Sequence, residues 1–113
     1  MLGTLTFLLA AFVERLGHKA HLRLLMAGWE KRVGIVVEDR HMQFCLTFSG
    51  SGVEWAEWQE DQKADLVLRG READLMMLFG GEELVYLRAK QIVYVKGQIR
   101  DQLKMDALLR LTC

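Results

Sequence analysis

The hydrophobic period of this chain changes along its length, and each change limits the layers it can build. From Leu5 to Met26 apolar side chains recur three and four apart: Leu5, Leu8, Leu9, Phe12 and Leu16, then Leu22, Leu25 and Met26. That spacing puts each set on one helical face. From Val33 the period drops to two. Val33, Ile35 and Val37 alternate with Arg32, Gly34 and Val36, and Met42, Phe44, Leu46 and Phe48 alternate with Gln43, Cys45, Thr47 and Ser49. Period two fits half-buried strands, and the short Asp39-Arg40 turn between the runs predicts an antiparallel pair.

Turn residues set the remaining boundaries. A first helix over residues 2–16 ends at Gly17, and a second runs from His18 to about Gly28. Ser49-Gly50-Ser51-Gly52 separates the second strand from a third over Val53 to Trp58, followed by a polar connection, Gln59 to Lys63. Asp65 to Arg69 reads as a fourth strand stopped by Gly70. Glu72 to Phe79 is a helix capped by Gly80-Gly81, and Glu82 to Arg88 a shorter one. Ile92 to Lys96 is the last strand, and Ile99 to Leu111 a closing helix with Ile99, Leu103, Ala107 and Leu111 in one stripe. The fold class is α+β of the layered type: a roughly five-stranded mixed sheet covered on one face by helices. With 113 residues, positions 1–113 form a single domain.

Composition narrows the function classes. Fifteen basic and fifteen acidic side chains cancel, so no global field draws the protein onto nucleic acid or an anionic membrane, which leaves only a local patch to do so. The run Leu5 to Val13 is too short for a membrane span, and Glu14-Arg15 follow it at once, so it reads as an amphipathic helix and not as a secretory segment or a stable membrane insertion. Cys45 and Cys113 suit a reducing cytoplasm, and a chain of this length gains nothing evident from joining them.

The chemistry-bearing residues do not assemble into a catalytic pattern. His18 and His21 lie three apart, but nothing in the sequence brings His41 to them or supplies a fourth zinc donor; no metal or cofactor is expected. Cys45 alternates onto the Gln43-Thr47 side of its strand, within reach of solvent, with no histidine placed to activate it. Glu54, Glu57, Glu60 and Asp61 cluster in a polar strand and loop that offers no apolar wall to shift a carboxyl group. Ser51 sits between glycines without the strand-to-helix context of a nucleophile. Arg88, Lys90 and Lys96 bracket Tyr86 and Tyr94; they fit a solvated surface or a lipid head group better than a nucleic-acid platform.

One stretch carries a family pattern. Ala64-Asp65-Leu66-Val67-Leu68-Arg69-Gly70 leads into Glu72-Ala73-Asp74-Leu75 and Phe79-Gly80-Gly81, and after a short helix come Val93-Tyr94-Val95-Lys96-Gly97-Gln98 and the closing helix. In order and spacing this resembles the sterol carrier protein type two family, as a small stand-alone member; residues 31–58 match by pattern only, and the first 28 more loosely. The resemblance implies an apolar tunnel between helices and sheet that accepts sterols, fatty acids, acyl-coenzyme A or isoprenoids, with no catalysis. The lining it implies is Leu66, Leu68, Leu75, Met76, Phe79, Val93, Val95, Ile99, Leu103 and Ala107, with Met77 and Met105 as adaptable neighbours, and the closing helix as a movable wall. Two features depart from the family: Leu111-Thr112-Cys113 is not the peroxisomal address, and glycine, glutamate and leucine replace a proline-containing loop. The other reading is an accessory or scaffold protein of lipid or quinone metabolism, with Leu8, Phe12 and Leu16 available to close a homodimer.

Overall fold

The structure, a computed structural model, describes residues 4–18, 20–49, 52–59, 62–80 and 84–112, with the side chains at 4, 20, 21 and 84–86 outside the description. The elements run α1 (Thr4–His18), α2 (Ala20–Met26), β1 (Arg32–Val37), β2 (Met42–Ser49), β3 (Gly52–Glu57), β4 (Leu66–Gly70), α3 (Glu72–Phe79), α4 (Leu84–Ala89), β5 (Tyr94–Gly97) and α5 (Ile99–Leu111). The strands form one mixed sheet in the order β3-β2-β1-β4-β5. Among these strands β1 and β4 pair in parallel, whereas β1–β2, β2–β3 and β4–β5 are antiparallel.

β1 takes the centre because its sequence can be buried on both faces. Val33, Ile35 and Val37 join the main core, while Gly34 and Val36 are buried on the opposite side. A parallel neighbour needs such continuous apolar character. The helix-covered face collects Val33, Ile35, Phe44, Leu46, Phe48, Leu66 and Leu68, which pack with Leu5, Leu9, Phe12 and Leu16 of α1. Phe12 meets Phe79 of α3 edge to face, with ring centroids 5.4 Å apart. The stripe on α1 thus covers the chain's own sheet.

The far face has a smaller apolar patch. A side chain at Gly34 would come within 2.8 Å of Trp58 Cζ3, so the tryptophan ring lies directly over this glycine. Cys45, paired with Gly34 across β1–β2, is buried at 6% exposure. The expectation that solvent reaches this thiol is corrected: alternation puts it on the uncovered face, but Trp58 makes part of that face an interior.

The residues that carry the family pattern hold strands and helices in register. Asp65 Oδ2 accepts the Arg32 backbone N–H at 2.9 Å, and the Asp65 N–H donates to the Arg32 carbonyl at 2.8 Å, starting the parallel β1–β4 pair. Gly97 has φ +143, and a Cβ there would meet the Asp65 carbonyl oxygen at 2.7 Å. Only glycine fits that approach. Asp39 accepts the backbone N–H of Glu72 at 2.9 Å, so the β1–β2 turn caps α3, whose own N-cap residue Arg71 provides no side-chain bond. Arg40 adds an ion pair to Glu72 at 3.2 Å.

The largest correction concerns α5. Ile99, Leu103 and Leu111, three of the four residues of the expected packed stripe, are 59%, 53% and 47% exposed, and Ala107 is half-buried. The inner face is instead Asp101, Gln102, Met105, Asp106, Leu108 and Leu109. Its polar members are satisfied locally. Trp29 Nε1 donates to Asp101 Oδ1 at 2.9 Å, Gln102 Nε2 donates to the Gly97 carbonyl at 2.9 Å, and Arg110 pairs with Asp106 at 3.1 Å. Hydrogen-bonded polar groups can be buried at little net cost, and the helix rotates accordingly. Lesser differences are that α1 runs through Gly17, β4 includes Gly70, and β5 begins at Tyr94. Gly81, Glu82, Ser51, Glu60, Asp61 and Cys113 lie outside the described residues.

Candidate functional site

The cleft that best suits a ligand opens where the two N-terminal helices cross the end of the β2–β3 hairpin. Leu16 and Gly17 come from the last turn of α1, Arg23, Met26 and Ala27 from α2 and its end, and Ser49, Gly52 and Val53 from the hairpin. Its volume is about 360 Å³, near the small end of the range for small-molecule sites. Each lining residue is there for a local reason. Leu16 and Met26 close the apolar faces of their helices and are buried, so they form a floor continuous with the core. Gly28, with φ +74, ends the α2 turn and leads the chain down to β1. Arg23 lies at the exposed rim, its Nη2 donating to the Gly17 carbonyl at 2.7 Å. Ser49 Oγ donates to the Gly52 carbonyl at 3.4 Å on the opposite rim.

The cleft therefore has an apolar floor and a polar mouth that includes one cation. Such an arrangement can take an amphiphile, its chain against Leu16, Met26 and Val53 and its polar end near Arg23 and Ser49. Periodicity alone did not single it out, because its residues come from two helix ends and a turn. No signal in the sequence marks it, since Leu16, Met26 and Val53 read only as members of separate elements.

The side chains expected as tunnel lining fall in three groups. Leu66, Leu68, Leu75, Phe79, Val93 and Val95 all lie in the packed core, with Met76 half-buried against it. Ala107 is half-buried, and Ile99 and Leu103 face outward. Met105 is buried, whereas Met77 is exposed. None of these residues lines the cleft between α1, α2 and β3.

The other polar groups remain apart. His18 sits 3.8 Å from Glu14 on an exposed helix face, and His41 occupies an exposed turn at φ 52. The His21 side chain is outside the description. Among the described residues no group of three or more His, Cys, Asp or Glu side chains could hold a metal ion, and no helix is long and apolar enough to cross a membrane.

Solved structures share this fold. A protein described as "UbiJ-SCP2 Ubiquinone synthesis protein" is 19% identical with a TM-score of 0.77, over 97% of this chain and 96% of that one. A crystal structure of sterol carrier protein 2 is 16% identical with a TM-score of 0.63, over 91% of this chain and 88% of that one. The sec-alkylsulfatase Pisa1 from Pseudomonas sp. contains a similar unit, 16% identical with a TM-score of 0.64, over 76% of this chain but 14% of the larger one. No curated protein matches the sequence at a significant level. The model of the SCP-2 sterol transfer family matches residues 10–110, nearly the whole α+β layer including both walls of the cleft. The chain belongs to the SCP-2 sterol transfer family.

Proposed function

We propose that this protein is a non-catalytic carrier that binds a single amphiphilic lipid through the cleft between α1, α2 and the β2–β3 hairpin. The observation that carries the reading is the cleft's polarity: a buried floor of Leu16 and Met26 beneath a rim holding Arg23 and Ser49. The lipid's chain lies on the floor, and its inner end abuts the core that includes Leu66, Leu68, Leu75 and Phe79. Met26, unbranched and adaptable, gives the floor room to reshape. Burying each methylene contributes about 0.8 kcal/mol, so a chain of moderate length binds without a dense polar network.

Among lipids, an isoprenoid quinone or its precursor is the ligand class we favour, with the protein acting as an accessory factor in the cytoplasm. Support comes from a neighbour matched along nearly the full length of both chains, which is described as a ubiquinone synthesis protein. Sterol, fatty acid and acyl-coenzyme A are the competing ligands.

Native mass spectrometry of protein purified from cells, followed by organic extraction, tests the carrier reading, and titration with ubiquinone, a fatty acid, a sterol and an acyl-coenzyme A ranks the ligands. Val53→Trp fills the cleft from a half-buried edge position and should weaken binding by about tenfold, the equivalent of roughly 1.4 kcal/mol, without unfolding the protein. Failure of the whole panel to bind sinks the carrier reading. Binding that ignores Val53→Trp moves the site elsewhere.

A further inference from the structure

We infer that the outer face of α5 docks on an anionic lipid bilayer. At 100° per residue, the outward half of this helix carries Ile99, Leu103, Ala107 and Leu111 together with Arg100, Lys104 and Arg110. It carries no carboxylate. Both acids of the helix, Asp101 and Asp106, are on the inner half and buried. A chain of zero net charge has thus sorted its charges across one helix, leaving a face about 20 Å long that is apolar and basic.

The surroundings extend the asymmetry. α4 packs on α5 and carries the exposed Arg88 in its last turn. The edge strand β3 exposes Glu54 and Glu57. An anionic surface would orient the molecule with α5 toward it. Lys104 Nζ donates to the Leu25 carbonyl at 2.9 Å, fixing α5 against α2, where Leu24 is 80% exposed. Arg110 offsets Asp106 and the half-buried Lys104 is held to the Leu25 carbonyl, so the exposed Arg100 supplies most of the outward charge.

Apolar side chains alternating with cations suit the headgroup boundary, where leucines enter the acyl region and guanidinium and ammonium groups meet phosphates. The charge also separates this occupant from a second copy of the chain. A two-fold contact through the same face would set Arg100 and Lys104 against their own kind, with no carboxylate on the face to complement them. Docking through α5 stands whether or not the cleft holds a lipid.

Flotation of the full chain with vesicles provides the test, one set of phosphatidylcholine alone and one mixed with phosphatidylglycerol. The protein should float with the mixed vesicles and not with the neutral ones, and near 1 M salt, where the Debye length is about 3 Å, it should release. Arg100→Gln should weaken the partition by about fivefold, the effect of one basic residue near such a surface, and Leu103→Asp by at least about tenfold. Both positions are exposed, and Arg100→Gln decides the matter even if Leu103→Asp folds poorly. Equal partition into both vesicle types, no partition, or variants that bind like wild type would overturn the proposal. So would Leu103→Asp turning a dimer into a monomer in sedimentation with vesicle binding unchanged, since the face would then belong to a second copy.

Discussion

The indole Nε1–H of Trp29 donates to Asp101 Oδ1 at 2.9 Å, and Lys31 Nζ lies 3.6 Å from the other carboxylate oxygen. One buried carboxylate thereby joins the α2–β1 connection to a helix 72 residues later in the chain. Trp29 also packs on Phe48, ring centroids 4.8 Å apart, so the bond is shielded from water. Asp101→Ala strands a buried donor and loses a charge-assisted bond, and should lower unfolding free energy by about 2–3 kcal/mol. Asp101→Asn keeps an acceptor for Trp29 and should cost clearly less. A double-mutant cycle with Trp29→Phe in urea measures the coupling; near-zero coupling would mean that the bond does not seat α5.

A second prediction concerns Gly97, whose φ of +143 and closeness to the Asp65 carbonyl leave no space for a methyl group. Gly97→Ala must strain the backbone or push β5 off β4, and should cost about 3 kcal/mol. Gly17→Ala provides the contrast, since Gly17 is helical and, apart from its chain neighbours and its own helix backbone, nothing lies within 4 Å of the place its methyl group would take. That change should be neutral or slightly stabilising, as alanine favours the helix by up to about 1 kcal/mol. Thermal melts of the two variants side by side check the pair.

Most of the layer architecture was legible in the sequence because it rests on periods. Phe44, Leu46 and Phe48 alternate without interruption, and Leu5, Leu9, Phe12 and Leu16 keep helical spacing, so each could bury only one face. What periodicity could not show was where polar residues find partners. Asp101 is buried beside Trp29, and that contact joins segments 72 residues apart, whereas Gln102 and Asp106 bond locally to Gly97 and Arg110. The same limit hid Cys45, buried with the help of a tryptophan thirteen positions further along. The cleft was invisible for a related reason: chain reversals assemble it, and no single element contains its pattern.

The cap on α3 gives a third prediction. Asp39 in the β1–β2 turn accepts the Glu72 N–H, a donor that a helix start leaves without an internal partner. Asp39→Ala should cost about 1 kcal/mol, whereas Asp39→Asn, which keeps a side-chain oxygen, should cost little. Hydrogen exchange should quicken at Glu72 in the alanine variant and remain near wild type at Leu46 in β2. Uniform acceleration across the sheet would instead show that Asp39 supports the whole fold.

The last prediction separates the two faces of α5, where sequence periodicity and structure disagree. An apolar stripe of Ile99, Leu103, Ala107 and Leu111 would make Leu103→Asp severely destabilising, because a carboxylate would enter the core without a partner. In the structure Leu103 is exposed, so the same substitution should change stability by no more than about 0.5 kcal/mol. Leu108, fully buried on the other side with Met105 and Leu109, should behave oppositely: Leu108→Ala removes packed methylenes and leaves a cavity, at a cost of about 2–5 kcal/mol. Urea unfolding of both variants distinguishes the orientations by the order of their midpoints. If Leu103→Asp lost the greater stability, α5 would be rotated by about half a turn, the bond from Trp29 to Asp101 could not form, and the basic face assigned to the bilayer would lie inside the fold.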